Sequence, residues 1–458
     1  MRTSSRTGLF LAAGLLAALP ATADEPPARR MTLSEAVSYG MDHSPDLAQS
    51  RKGVDSARAR LRSSKGRRLP SVSVDSSVNY WDKEQTVELT IPGIELPPGT
   101  EPPPPLVIRD RTTTSTSATA VLPLVGQLQI GSAIGADRHG LDATELDHSA
   151  LRLQIASSAA TAYLQVLLAR ATSDIASSRA RLVQAQLERS RVLQQGGVLG
   201  RVDVMRLEAA LAGAQRDAIT SASDAASAED SLAVAIGLPE GTRIETIDNL
   251  PAEPGPPPLD PTAAVQTAGQ RRPELRSARA RAEQAHSSAT VQLTNLLPTL
   301  NAVGQAQHNT GQGTFAPKNA WFVGLSLSWT VWDWLSNYNA YRSADYQAEQ
   351  ADLSANRLGD TLRLEVRQRA RATRAAYDSL AVARAGLAAS EEAFRIEEVR
   401  FREGAATTTD LLSSETELAE ARIGYATSRH SYFMQLAALA QATGQLPDAL
   451  LPSTSGAR

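Results

Sequence analysis

Between Leu141 and Gln195 the chain runs without a proline or a glycine, and small or apolar residues recur in steps of four and three: Leu146, Ala150, Leu153, Ser157, Ala160, Leu164, Leu167, Ala171, Ile175, Ser178, Leu182 and Ala185. A pattern sustained over so many turns predicts one coiled-coil seam, and its small residues let neighbouring backbones come close. At about 1.5 Å per residue, a helix over 141–195 is roughly 80 Å long. A compact globule has no room for such a rod. The pattern returns at Ala376, Leu380, Ala383, Leu387, Ser390 and Phe394, so the chain carries two rods.

Each rod runs into a glycine turn, at Gly196-Gly197 or Gly404, and a second helical stretch returns, about Val202–Ile236 and about Thr409–Thr443. The turns belong to a wider duplication. Ser44-Pro45-Asp46-Leu47 recurs as Arg272-Pro273-Glu274-Leu275, Leu69-Pro70-Ser71 as Leu297-Pro298-Thr299, and Gly197, Asp203 and Gly237 as Gly404, Asp410 and Gly444, with equal internal spacing. Equal spacing over such distances marks an internal repeat. The first repeat is expected at 24–250 and the second at 262–447, separated by a proline-rich linker at 251–261 and followed by a tail at 448–458. The first copy is longer by the proline-rich segment Ile91–Pro105, which reads as an inserted loop.

Ahead of each rod the hydrophobic period changes. Residues 33–65 read as helix with a break at Ser44-Pro45. After Pro70 the period becomes two: Val72, Val74, Val78 and Tyr80 fall on one face, Ser71, Ser73, Asp75 and Asn79 on the other. Strands are expected at about 71–81, 112–124, 299–308 and 321–332, and helical hairpins at about 141–236 and 344–443. Two β-hairpins supply too few strands to close a barrel within one chain. All five tryptophans, Trp81, Trp321, Trp329, Trp332 and Trp334, lie in or beside these strand segments. Such placement suits an aromatic girdle at a lipid headgroup level. The alternative is a soluble β-domain with a tryptophan core, but the opposite strand faces are polar enough to line water.

The amino terminus supplies a compartment. Arg2 and Arg6 precede the apolar run Leu9–Leu19, and Ala21-Thr22-Ala23 offers a cleavage site, the pattern of a secretory signal peptide over 1–23. No later apolar run is long enough for a spanning helix. The chain has no cysteine, which excludes disulfides, thiolate metal sites and thiol nucleophiles. With 46 basic against 49 acidic residues, no bulk field for nucleic acid exists. The six histidines are scattered and no hydrolase, zinc or phosphate-loop motif is present, so neither catalysis, a cofactor nor a metal is expected.

These residues resemble the outer membrane factor (TolC-like) family of outer membrane efflux proteins. The likeness rests on the helix opening Leu33-Ser34-Glu35-Ala36-Val37, both proline–acid–leucine markers, both Leu-Pro strand starts, the strand end Trp329-Thr330-Val331-Trp332-Asp333 and the block Gly404–Gly444. It implies a mainly α fold with transmembrane β: a homotrimer whose chains give four strands each to a 12-stranded barrel in outer-membrane lipid, continued by a periplasmic α-helical barrel. It also implies a passive exit duct for a tripartite efflux pump or a type I secretion system, partnered by a periplasmic adaptor (membrane fusion) protein and an inner-membrane transporter. The other function class compatible with the rods is a soluble periplasmic coiled-coil scaffold or adaptor.

Carried over by position, the tips at Gly197, Val198 and Leu199 and at Gly404 and Ala405 are where an adaptor docks, and the aperture gathers Asp410, Phe401 and Asp203. Asp410 matches the family's acidic ring. Both aspartates also stand where an acid stabilises the start of a helix. The family's second aperture aspartate falls at Ser413, its arginine at Ala406 and its tyrosine at Phe401, departures that favour closure by packing of Phe401 and Leu411 over a salt-bridged latch.

Overall fold

The computed structural model describes residues 29–88, 104–239, 241–248, 250, 254–258, 260–313 and 316–447. The expected signal peptide, the C-terminal tail and nearly all of the Ile91–Pro105 insert lie outside them. In chain order the elements are β1 (Arg29–Met31), α1 (Leu33–His43), α2 (Pro45–Gly66), β2 (Ser71–Tyr80), β3 (Gln85–Val87), β4 (Leu106–Arg109), β5 (Thr112–Val125), α3 (Gln127–Gln195) and α4 (Arg201–Ile236). There follow β6 (Ile244–Thr246), α5 (Pro261–Arg271), α6 (Pro273–Thr294), β7 (Thr299–Thr310), β8 (Asn319–Ser328), α7 (Ser336–Arg402) and α8 (Thr408–Ala442). None of the described helices is long and apolar enough to cross a membrane.

The duplication is visible in the order. Each half starts with a short helix, breaks at a proline that opens a longer one, gives two strands, and then sends a rod out and back. At the first break Ser44 accepts a hydrogen bond from Leu47 N (3.3 Å), with Pro45 at the first helical position, where its missing N–H costs nothing. At the second break Arg272 occupies that place, and Pro273 opens α6.

The rods are longer than the periodicity predicts. α3 starts at Gln127, not 141, and its 69 residues span roughly 100 Å. The seam is hidden at first by Gly126, Gly131, Gly135 and Gly140, which read as helix breakers. In the fold Gly135 and Gly140 face α6, where an added Cβ would meet Ser287 Oγ at 3.4 Å and Gln284 Nε2 at 3.0 Å. They are points of close helix approach. α7 likewise starts at Ser336 instead of 344, its first turns carrying Asn337, Tyr338, Asn339 and Tyr341, modest helix formers.

Four strands form one antiparallel sheet in the order β2-β5-β7-β8. Pairing in register aligns their faces: Val74 lies beside Ala118, Ala306 and Trp321, and Val72 beside Ala120, Gly304 and Val323. The opposite face runs Ser73, Thr119, Gln305, Phe322 and Asp75, Ser117, Gln307, Ala320. Over these rows one side of the sheet is apolar and the other mostly polar, while the next row on the apolar side, Ser76, Thr116, His308 and Asn319, is polar toward the far end. Beyond the far end, β3 and β4 extend the first hairpin as a separate two-stranded ladder flanking the insert.

The core sits at the waist of the rods. Met31, Val37, Tyr163, Leu232 and Ile236 pack with Ala156, Ala159 and Ala160, and on the second half Ala264, Val366 and Leu439 pack together. β1 and β6 make a parallel pair across this waist, a contact too short to read from sequence. Tyr163 OH donates to Met31 O (3.0 Å), while Arg170 donates to Ile244 O (2.8 Å) and Glu229 (2.8 Å), clamping the pair onto α3.

Candidate functional site

The residues expected to carry function fall in two regions: the ends of the sheet and the tips of the rods. At the sheet, β2 and β8 are edge strands, so among the described residues each leaves one row of backbone N–H and C=O groups without a partner strand. Nearly every residue of both is exposed, including Val72, Val74, Trp321, Val323, Leu325 and Leu327. A long, exposed, apolar edge is a template for another strand.

The tryptophans divide between the two ends of the sheet. Trp81 follows β2 at the far end, where its indole N–H donates to Thr113 Oγ1 (3.1 Å) and the Arg109 guanidinium lies 3.8 Å from its ring centroid. Trp321 sits near the same end, in β8. At the helix-side end β8 stops at Ser328, so the alternation expected to 332 outlasts the strand, and Trp329, Trp332 and Trp334 lie beyond it. Trp329 donates to Leu296 O (3.2 Å), and Trp332 meets Trp334 edge-on at 5.7 Å. Trp334 and Leu335 both take left-handed backbone (φ 56 and 62), a strained conformation for side chains of this size. The tryptophan presented by that turn is 83% exposed. From Trp321 to Trp329 is about 26 Å along an extended strand, of the order of the ~25 Å apolar band of a membrane barrel.

At the tips the two copies share one geometry. α3 ends before Gly196, Gly197 takes φ 76, and Val198 N returns to Leu193 O (3.0 Å). α7 ends before Gly404, which takes φ 72, and Ala405 N returns to Arg400 O (2.8 Å). Only glycine adopts this conformation freely, and the returning N–H satisfies a carbonyl of the last turn. The copies differ in what they display. Val198 is 71% exposed and Leu199 turns inward onto Leu187, Val204 and Leu207, whereas Gly404 and Ala405 present almost no side chain.

Asp410 is exposed and closes a capping box: its N–H donates to Thr407 Oγ1 (3.2 Å), and its Oδ2 accepts from Thr407 Oγ1 (2.7 Å) and Thr407 N (3.0 Å). These bonds, the hydroxyl's first, hold its carboxyl below the usual range, assisted by the Arg400 charge. Arg400 itself pairs with Glu397 and donates to Ala405 O. Asp203 has no such box, since Gly200 stands at the N-cap, and it lies 3.6 Å from Arg206. Arg206 reaches Thr409 Oγ1 (3.2 Å) and so ties the first turns of α4 and α8 together. Phe401 packs with Phe394, Leu411 and Leu418, and Leu411 is fully buried. Ser413 is exposed and its hydroxyl donates to Glu417 (3.4 Å).

Behind the tips lies a cluster that the sequence reading missed. Glu415 is 2% exposed and accepts from Arg179 Nε (2.9 Å) and Nη2 (3.2 Å). Arg179 also donates to Thr416 Oγ1 (3.2 Å) and lies 3.6 Å from Asp217. One guanidinium thereby joins α3, α4 and α8. The available signal was an acid in an apolar register, since Glu415 falls between Leu411 and Leu418 on one face of α8.

Compared with known proteins, residues 40–238 and 264–445 match the family model described as outer membrane efflux protein. No curated protein matches the chain. Among solved structures it is similar to the outer-membrane channel OprN, at 20% identity, TM-score 0.73, covering 90% of this chain and 89% of that one. It is also similar to the outer membrane protein VceC of Vibrio cholerae (17% identity, TM-score 0.73, 90% and 96% covered) and to the open state of the MtrE outer membrane channel of Neisseria gonorrhoeae (17%, 0.71, 92% and 91%).

Proposed function

Because the chain belongs to the outer membrane efflux protein family, we propose that three copies close a single β-barrel in the outer membrane and that the rods continue it as a helical duct across the periplasm. Its place is the outer membrane and its role is the exit channel of an efflux system. The observation that carries the trimer is the sheet with two open edges. Along the order β2-β5-β7-β8 the strand directions alternate, so β8 of one chain can pair antiparallel with β2 of the next. Three such steps close a ring with no edge left. The apolar face then meets lipid and the polar face lines the pore.

In this reading the tryptophans at the two ends of the sheet are the headgroup girdles, and the glycine turns are the surfaces that a periplasmic adaptor grips, with an inner-membrane transporter beyond it. The exposed Val198 makes the first tip the more adhesive of the two. Three Asp410 carboxylates around the aperture attract cations while each caps its own helix, so the two roles of that residue coexist. Phe401 and Leu411 keep the hairpins packed when the aperture is closed, and Asp203 adds charge beside them.

The mass of the particle extracted from purified outer membranes in mild detergent, corrected for bound detergent, tests the proposal. Three chains are expected. A monomer recovered from the periplasmic extract would replace the channel with a soluble coiled-coil scaffold.

A further inference from the structure

At the helix-side rim of the sheet, four short segments join helix to strand: 67–70, 126, 295–298 and 329–335. Only the first contains cations. Arg67 and Arg68 lie there, both exposed, with exposed Lys65 one turn earlier and no acidic residue between Asp55 and Asp75. Among the described residues none of the three forms an ion pair or side-chain hydrogen bond.

The duplication supplies an internal control. The equivalent segment of the second copy, which closes α6 before β7, reads Asn295-Leu296-Leu297-Pro298. Its polar group is engaged within the chain: Asn295 accepts from Gln129 Nε2 (2.8 Å) and donates to Gln292 Oε1 (3.0 Å). A helix at this level therefore ends well without positive charge, and three unpaired cations at the other copy call for a partner outside the chain.

The fourth segment holds the aromatics and one acid, Asp333, whose Oδ2 accepts from Asn337 N (2.9 Å) at the start of α7. Trp329, Trp332 and Trp334 follow β8, which ends at the same end of the sheet at which β2 begins. Within one chain these two segments flank opposite edges of the sheet. When β8 of one protomer pairs with β2 of the next, neighbouring strands stand about 4.8 Å apart, and the tryptophans come beside Arg67 and Arg68 of the adjoining chain. The strained turn at Trp334 and Leu335 keeps an indole outward at this level.

We propose that the periplasmic rim carries three binding sites for anionic phospholipid headgroups, each formed across a protomer boundary by Lys65, Arg67 and Arg68 of one chain and the Trp329–Trp334 aromatics of its neighbour. The proposal rests on the trimeric membrane channel argued above. The cations take the phosphate, and the indoles lie at the headgroup–acyl boundary, with amphipathic rings suited to that depth. Anionic lipids of the inner leaflet thus bridge adjacent chains at the level where barrel passes into duct.

The test uses the full chain purified in detergent and supplemented with either phosphatidylglycerol or phosphatidylcholine of the same acyl chains, with lipid retained per particle counted by native mass spectrometry. About three phosphatidylglycerols per trimer are expected, with little phosphatidylcholine. Arg67→Gln/Arg68→Gln should lower phosphatidylglycerol retention by roughly tenfold without changing the trimer mass. Arg67→Lys/Arg68→Lys should keep most of it, which separates lost charge from lost folding. Added inorganic phosphate should not displace the lipid, because a free anion lacks the acyl contact. Equal retention of the two lipids by a trimer, or an unchanged preference in the glutamine variant, would overturn the site and leave the channel standing. Displacement by inorganic phosphate would identify a plain anion site in place of a lipid site. A lipid-free monomer would overturn the channel reading as well.

Discussion

A single carboxylate can hold up a helix and face a pore: Asp410 does the first, and in the proposed trimer it does the second as well. Its pKa is depressed by the Thr407 hydroxyl and backbone N–H. The unfolded chain therefore binds the proton more tightly than the folded one, and the stabilisation is present above the ordinary carboxylate range and lost as pH falls through the depressed value. Asp410→Ala should lower cation selectivity or raise resting conductance in planar bilayers, and an unchanged current would leave the residue only its capping role. Thr407→Ala removes the other half of the box and should destabilise the start of α8 by about 1 kcal/mol, seen as faster hydrogen exchange over 408–414. The sequence offered Asp410 by its place in the repeat. The box was legible too, since Thr407 and Asp410 stand three apart at the start of a helix, the local spacing of a capping box, but the reading took only the acid.

The hairpins are joined to each other by few polar ties, and the Arg179–Glu415 pair is the most buried of them. Glu415→Ala strands a guanidinium that keeps partial solvent access and its contacts with Asp217 and Thr416. The cost should be about 2 kcal/mol, below that of breaking a fully buried pair. Hydrogen exchange over 180–195 and 405–415 should quicken, and equal rates in variant and wild type would mean that apolar packing alone sets the tip. At this scale the sequence was most legible where one period persists, in the middle of the rods and along β2. It misled where a residue answers to something other than its own element. Gly135 and Gly140 early in α3 serve contact with α6, and the alternation from Trp329 to Val331 lies beyond the end of β8. The β1–β6 pair left no trace, since three residues cannot display a period.

In the whole molecule the open edges decide the arrangement. Because the chain lacks cysteine, a double variant Leu69→Cys/Trp329→Cys carries the only two thiols. Within one chain the two positions flank opposite edges of a four-stranded sheet, on the order of 14 Å apart, whereas across the proposed boundary they are neighbours. A short bifunctional thiol reagent should therefore produce dimers and trimers on denaturing gels, and each single variant should remain monomeric there. Cross-linking confined to one chain would count against the ring.

The same edges set the kinetics of biogenesis. A chain that has finished its helices still presents β2 and β8 unpaired, with apolar side chains exposed, and gains their burial only when two further copies arrive. Maturation should then accelerate steeply with the local supply of chains, while the waiting species is the one most prone to aggregate. Expression level and the holding capacity of periplasmic chaperones, more than the intrinsic folding speed of any rod, should govern how many channels a cell completes.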